Sequence, residues 1–309
     1  ATETWLGPDH PELAPVLNNI GALARERGQL GDALAAFDRV VRIVAAAWGD
    51  EHPSVARALL NRGTVLADLG RDDEAEQSFA RAATIFERTR GPEHPELAQA
   101  WKGKAGIAYA RNRLDEANEL FARALALELS RYGEHHPSVG VTSTNLAMVL
   151  VDLGRPREAL PHYARALAIF GERLGPRHPM VATVHDGIGF AREELGELEL
   201  AAASYRDAIA IADASGAASL PEALFRLGTL EARRGRSDEA IALLERSLAL
   251  RIAAPDVDPR FRSKSRFALA QALVGRDRSR AIQLAKDALV DVADDASRRA
   301  EIATWLAAQ

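Results

Sequence analysis

The chain has no cysteine. Disulfides, thiolate nucleophiles and cysteine-based zinc sites are therefore excluded. That absence does not fix a compartment, but a reducing cytoplasm needs no disulfides, and a cytoplasmic location is expected. No apolar run reaches the roughly 18 residues of a membrane span, and no signal peptide is visible. There is no strong charge of one sign: the net charge is −5 and acidic and basic residues are interspersed. Neither nucleic acid nor an anionic membrane is expected as partner. A Walker loop, Gly-x-Ser-x-Gly and His-Glu-x-x-His are all missing, so no enzyme activity, cofactor or metal is expected of these residues. Glycine (22) and proline (14) are not abundant. Their placement is what carries information.

Glycine followed three residues later by His-Pro occurs at Gly7, His10 and Pro11, and again at Gly49, His52 and Pro53. It recurs at Gly91, His94 and Pro95, at Gly133, His136 and Pro137, and at Gly175, His178 and Pro179. The period is 42 residues, without an insertion. Fixed-period self-similarity of this kind marks a stacked repeat architecture. Other columns keep the register. Small residues stand at Gly21, Gly63, Ala105, Ala147 and Gly189, and a turn column reads Gly28, Gly70, Asn112, Gly154 and Gly196. An alanine column (Ala33, Ala75, Ala117, Ala159, Ala201) is followed by an aromatic one (Phe37, Phe79, Phe121, Tyr163, Tyr205).

Each column has a physical reason. Proline suits a first helical turn, where its missing N–H costs nothing. A first helix then runs about four turns to the glycine column, which can adopt the left-handed conformation that ends helices. In the second helix Ala33, Phe37, Val40 and Ile43 share one face. Small residues at 21 and 33 let the two helices approach, and the aromatic at 37 fills the space beside them. One hairpin cannot bury its apolar face alone, so neighbours must stack. No strand is expected.

The 309 residues are read as one array, residues 1–309, with repeats at 7–48, 49–90, 91–132, 133–174, 175–216, 217–253 and 254–295. A cap at 296–309 would cover the end of the core with Trp305 and Leu306. Trp5 and Leu6 occupy the register of the end of a preceding helix. With a start at Ala1, not methionine, the chain is expected to be a piece of a longer protein.

The small-residue, turn-glycine and Ala-x-x-x-Phe/Tyr-x-x-Ala pattern resembles the tetratricopeptide repeat. The 42-residue period, with LGPDHPELA and LNNIG, looks like the kinesin-light-chain subtype. The resemblance implies an all-α fold, a right-handed α–α superhelix of about seven helical hairpins plus a C-terminal capping helix. The tail, SKSRFALAQALVGRDRSRAIQLAKDAL onward, is similar to the end of tetratricopeptide regions that follow the catalytic domain of some bacterial serine/threonine protein kinases. No kinase motif is present in the chain itself.

Five of the eight histidines belong to the 42-residue column. On successive hairpins they stand too far apart to share a metal, and they read as residues at helix starts. In the family, the first helix of each hairpin lines a concave groove. Carried over residue by residue, the family's asparagines match Asn19, Asn61 and Asn145, and Asn18 also matches in the first repeat. Repeats three and five depart, with Gly103 and Gly187. Side-chain amides offer donor and acceptor to a peptide backbone. Neighbouring groove positions are Arg25, Arg57 and Lys102, then Tyr109, Met148, Val151 and Phe190, with Asp186, Glu193 and Phe225 beyond. The expectation is a protein-interaction module that binds a peptide or protein segment along this face. It would be a recruitment or regulatory region of a larger bacterial signalling protein, such as a kinase. The alternative is a self-associating scaffold that oligomerises end to end.

Overall fold

Glycine punctuates the helices where the period places it. Gly28, Gly70, Gly154, Gly196 and Gly235 each close a first helix with φ between 71° and 77°. Asn112 takes that place in the third repeat at φ 57°, and asparagine is the residue that best tolerates this left-handed region after glycine. The second helices of the first four repeats end on Gly49, Gly91, Gly133 and Gly175, again at positive φ.

The computed structural model describes residues 7, 9–254 and 257–309; Trp5 and Leu6 lie outside them. Among the described residues every regular element is a helix. The chain divides into two compact units, the first ending at Ile169 and the second running Phe170–Gln309. The first unit holds α1 (Leu13–Glu26), α2 (Leu30–Trp48), α3 (Pro53–Asp68), α4 (Asp72–Arg90), α5 (Glu96–Ala110), α6 (Leu114–Tyr132) and α7 (Pro137–Asp152). Helix α8 (Pro156–Arg173) contains the division between units. The second unit holds α9 (Pro179–Glu194), α10 (Leu198–Ser215), α11 (Leu220–Arg233), α12 (Ser237–Ala253), α13 (Pro259–Leu273), α14 (Arg278–Asp291) and α15 (Ala296–Ala307).

In the first unit α1 packs on α2, α3 on α4 and α5 on α6, and each second helix packs on the following first helix. The second unit repeats this: α9 on α10, α11 on α12 and α13 on α14, with α10 against α11 and α12 against α13. The small and aromatic columns explain the spacing. A Cβ on Gly63 would stand 2.8 Å from the Phe79 ring, and one on Gly189 would stand 2.5 Å from Tyr205. Phe79 also lies against Gly103 of the next repeat, where a Cβ would meet it at 2.6 Å. One buried ring is thus wedged between two consecutive first helices. Burying such a side chain is worth about 1.5–3 kcal/mol. At the end of the second unit Trp305 packs edge-on against Phe267, ring centroids 5.7 Å apart, and with Leu306 lies against the core of α13 and α14.

The histidine column caps helices. Nδ1 of His52, His136 and His178 accepts from the backbone N–H two residues on, at 3.2, 3.1 and 3.2 Å, at the starts of α3, α7 and α9. The imidazole supplies the acceptor that Ser or Asp gives most helices. Trp48 and Tyr132, at the ends of the preceding helices, lie beside His52 and His136 with ring centroids 5.4 and 4.4 Å apart.

Candidate functional site

Consecutive first helices touch along a diagonal. Residue n of one meets residue n + 43 of the next, one position beyond the repeat. Asn61 Nδ2 donates to Asn18 Oδ1 at 2.7 Å. Arg25 Nε donates to Asp68 at 2.5 Å, and the Tyr109 hydroxyl donates to Asp152 at 2.6 Å. In the second unit the step from Gly189 to Gly228 is 39 residues instead of 42, and the diagonal shortens with it to 40. Asp186 there faces Arg226 at 3.4 Å, and Glu193 accepts from Arg233. The two rows of rungs therefore recur in both units with changing chemistry: amide–amide, then carboxylate–guanidinium.

In the first unit Asn18, Arg25 and Asn61 come together. With Ala22, Glu26, Phe37 and Thr64 they line a depression of about 220 Å³. The amide pair uses one Nδ2–H of Asn61 and one lone pair of Asn18. Asn18 Nδ2 and Asn61 Oδ1 stay outside the set of buried, unpartnered atoms. Each amide keeps a second group, an N–H on Asn18 and a carbonyl oxygen on Asn61, of the kinds that pair with a peptide group. Asn19 is exposed and outside this depression. Asn145 is half-buried on α7, one turn before Met148, which is 39% exposed.

Other groove positions are engaged inside the fold. Lys102 Nζ donates to Glu128 at 2.7 Å and to the Ser138 hydroxyl at 3.0 Å. Glu128 is fully buried and also accepts from the hydroxyls of Ser138 and Thr142, so Lys102 neutralises a carboxylate between helices. Arg57 holds Glu96 with two hydrogen bonds, at 2.5 and 3.2 Å, near the starts of α3 and α5. Val151 is buried in the core. Phe190 is half-buried beneath Arg226, whose guanidinium lies 4.6 Å from its ring centroid. The residues that periodicity alone did not mark are Asp68, Asp152 and Arg226. Each sits one position past the repeat, and a search at offset 43 finds the first two.

In the second unit the Asp186 Oδ1 atom is buried without a partner. Burial, partly offset by Arg226, pushes the Asp186 carboxyl up from 3.8 to about 6, and Glu222 and Glu193 push the same way. Glu193 also accepts from the Tyr205 hydroxyl at 2.8 Å. Burial and Glu193 raise the tyrosine pKa, so it stays a donor throughout the physiological range. A depression of about 420 Å³ lies on this unit too, lined by Thr229, Ala232, Arg233, Ser237, Leu244, Ala268, Gln271 and Ala272.

No group of His, Asp or Glu among the described residues has the arrangement of a metal site. No helix among them is long and apolar enough to cross a membrane.

Models of the tetratricopeptide repeat match residues 15–54, 54–130, 107–172, 138–214 and 193–257. No curated protein sequence matches the chain. Among solved structures, a kinesin-light-chain-like protein of Podosopora anserina with nearly identical TPR-like repeats is 23% identical; the match covers 66% of this chain and 98% of that one, with a TM-score of 0.56. The apo form of RapI is 15% identical, with 90% and 97% of the two chains covered and a TM-score of 0.68. A Rap protein in complex with competence and sporulation factor is 15% identical, with 96% and 97% covered and a TM-score of 0.60. The repeat read from five Gly-x-x-His-Pro steps, the hairpins it forms and the span of these matches agree, and the chain belongs to the tetratricopeptide repeat family.

Proposed function

We propose that the protein is an interaction module whose first-helix face binds an extended segment of a peptide or protein. The observation that carries this reading is the hydrogen-bonded Asn18–Asn61 pair beside Arg25, all three lining one depression. An extended backbone offers a carbonyl and an N–H that fit this pair. Arg25 keeps almost half of its side chain exposed despite Asp68, and so can meet a carboxylate on the guest. The solved Rap protein complexed with competence and sporulation factor has the same fold, which supports a bound-segment reading without naming a ligand. A place in a bacterial signalling protein such as a serine/threonine kinase is supported by the resemblance of the tail alone.

Selection from a displayed peptide library, followed by titration calorimetry, tests the site. Replacing Asn18 and Asn61 with alanine removes two hydrogen-bonding positions at about 0.5–1.5 kcal/mol each, so affinity is expected to fall roughly tenfold. Unchanged affinity for the selected peptides would remove this face as the site.

A further inference from the structure

The sixth hairpin, α11 with α12, breaks the aromatic column. Leu244 stands as far beyond Gly228 as Phe37 stands beyond Gly21 and Phe79 beyond Gly63. The rings of Phe37, Phe79, Phe121, Tyr163 and Tyr205 are all at most 4% exposed, and Phe79 shows what such a ring does: it fills the space between consecutive first helices. Leu244 is buried too, but its side chain is shorter, and cutting a ring back leaves space unless the walls collapse. The walls have not collapsed; they are trimmed as well. Ala232 stands where α1 has Arg25. Facing it, α13 offers Ala268, Gln271 and Ala272. The depression beside Leu244 is about 420 Å³, against about 220 Å³ for the one beside Phe37. Its helices all have packed neighbours on both sides: α11 has α10 and α12, α12 has α11 and α13, and α13 has α12 and α14. A further hairpin at either end of the array would therefore not close it.

The rim says what kind of side chain fits. Arg233 lines the depression where α1 has Glu26, and it keeps 58% of its side chain exposed while it holds Glu193. This unit already lays guanidinium groups on aromatic faces. Arg226 stands 4.6 Å from the ring centroid of Phe190, and Arg251 stands 5.2 Å from that of Phe225. A cation over a ring is attracted by the negative face of its π-system. We propose that the depression between α11 and α13 takes one aromatic side chain of an extended guest segment, with the Arg233 guanidinium over the ring. The guest's ring then fills the place that a hairpin's own ring fills in the five preceding repeats. The site rests on the reading of the first-helix face given above and names what the second unit selects there.

Saturation-transfer NMR of the whole chain with the capped tripeptide acetyl-Gly-Phe-Gly-amide is the test. Burial of a single ring gives an expected Kd of about 1–10 mM. The alanine tripeptide should bind about tenfold more weakly, and the leucine tripeptide about threefold. Two variants fill the depression. Leu244→Phe restores the missing ring, and Ala232→Leu fills the space from an exposed position that leaves the core untouched. Each should weaken the phenylalanine tripeptide about tenfold. Arg233→Gln should weaken it about threefold and bring the phenylalanine and leucine tripeptides level. Absence of saturable binding up to about 50 mM would overturn the proposal. So would binding that Ala232→Leu leaves unchanged, or a leucine tripeptide that binds the wild type as well as the phenylalanine one. The tripeptide reads this depression alone. If it failed to bind while replacement of Asn18 and Asn61 still weakened selected peptides, the pocket would fall and the reading of the face would stand.

Discussion

Two residues separate a binding role from a folding role. Lys102 stands in the groove register, but its ammonium neutralises the buried Glu128. Removing one member of such a pair leaves an uncompensated buried charge, at a cost of about 3–5 kcal/mol. Lys102→Met is therefore expected to lower the urea midpoint strongly while leaving the affinity of the remaining folded protein for a guest segment unchanged. Asp186 sets the opposite problem. Its carboxyl is held at about 6 by burial, above its ordinary 3.8. At a pH well below its ordinary 3.8 it is neutral in the folded and the unfolded chain alike. As pH rises the unfolded chain ionises first, and stability is lost through the window between about 4 and 6. Above that window the cost is constant, on the order of 1–3 kcal/mol. Asp186→Asn should remove this component, so its stability should fall less than the wild type's between pH 4 and pH 7. Urea titrations of both proteins at the two pH values measure the difference.

At the scale of the helix, the periodic positions split into those a sequence explains and those it leaves ambiguous. The small, turn and aromatic columns were legible because each answers a local steric demand, such as the 2.8 Å approach of Phe79 to the place of a Gly63 Cβ. The histidine column was legible as a helix start, yet its capping bond depends on a ring orientation that spacing does not fix. Replacing His136 with alanine should cost about 1 kcal/mol, the usual worth of an N-cap, and lower the melting temperature accordingly. The break in the asparagine column at Gly103 also has a steric reason. Phe79 of the preceding hairpin occupies the space that a side chain there would need. Which groove residues stay free was not legible. A 42-residue column identifies equivalent positions, while contacts run along the diagonal, one residue beyond it. Arg25 and Tyr109 therefore looked open although Asp68 and Asp152 already hold them.

Among the described residues, the main helix–helix packings of the first unit join a hairpin to itself or to its neighbour. Stability in such an array is a sum of hairpin and nearest-neighbour contributions, so damage spreads outward from the site of the change. Phe79 is the best place to apply this, because its ring touches both Gly63 of α3 and Gly103 of α5. Phe79→Ala opens a cavity in that wedge and should cost about 3–5 kcal/mol. One packing site thereby loosens two first helices together, along with α4 itself. Hydrogen exchange on the intact chain should show the largest loss of protection in α3, α4 and α5, with a smaller loss in α2 and α6, which pack on them. Helix α1, which packs on α2, should be nearer the wild-type pattern. A uniform loss across α1 to α7 would mean that the unit unfolds as one cooperative block and that its hairpins are not separable contributions.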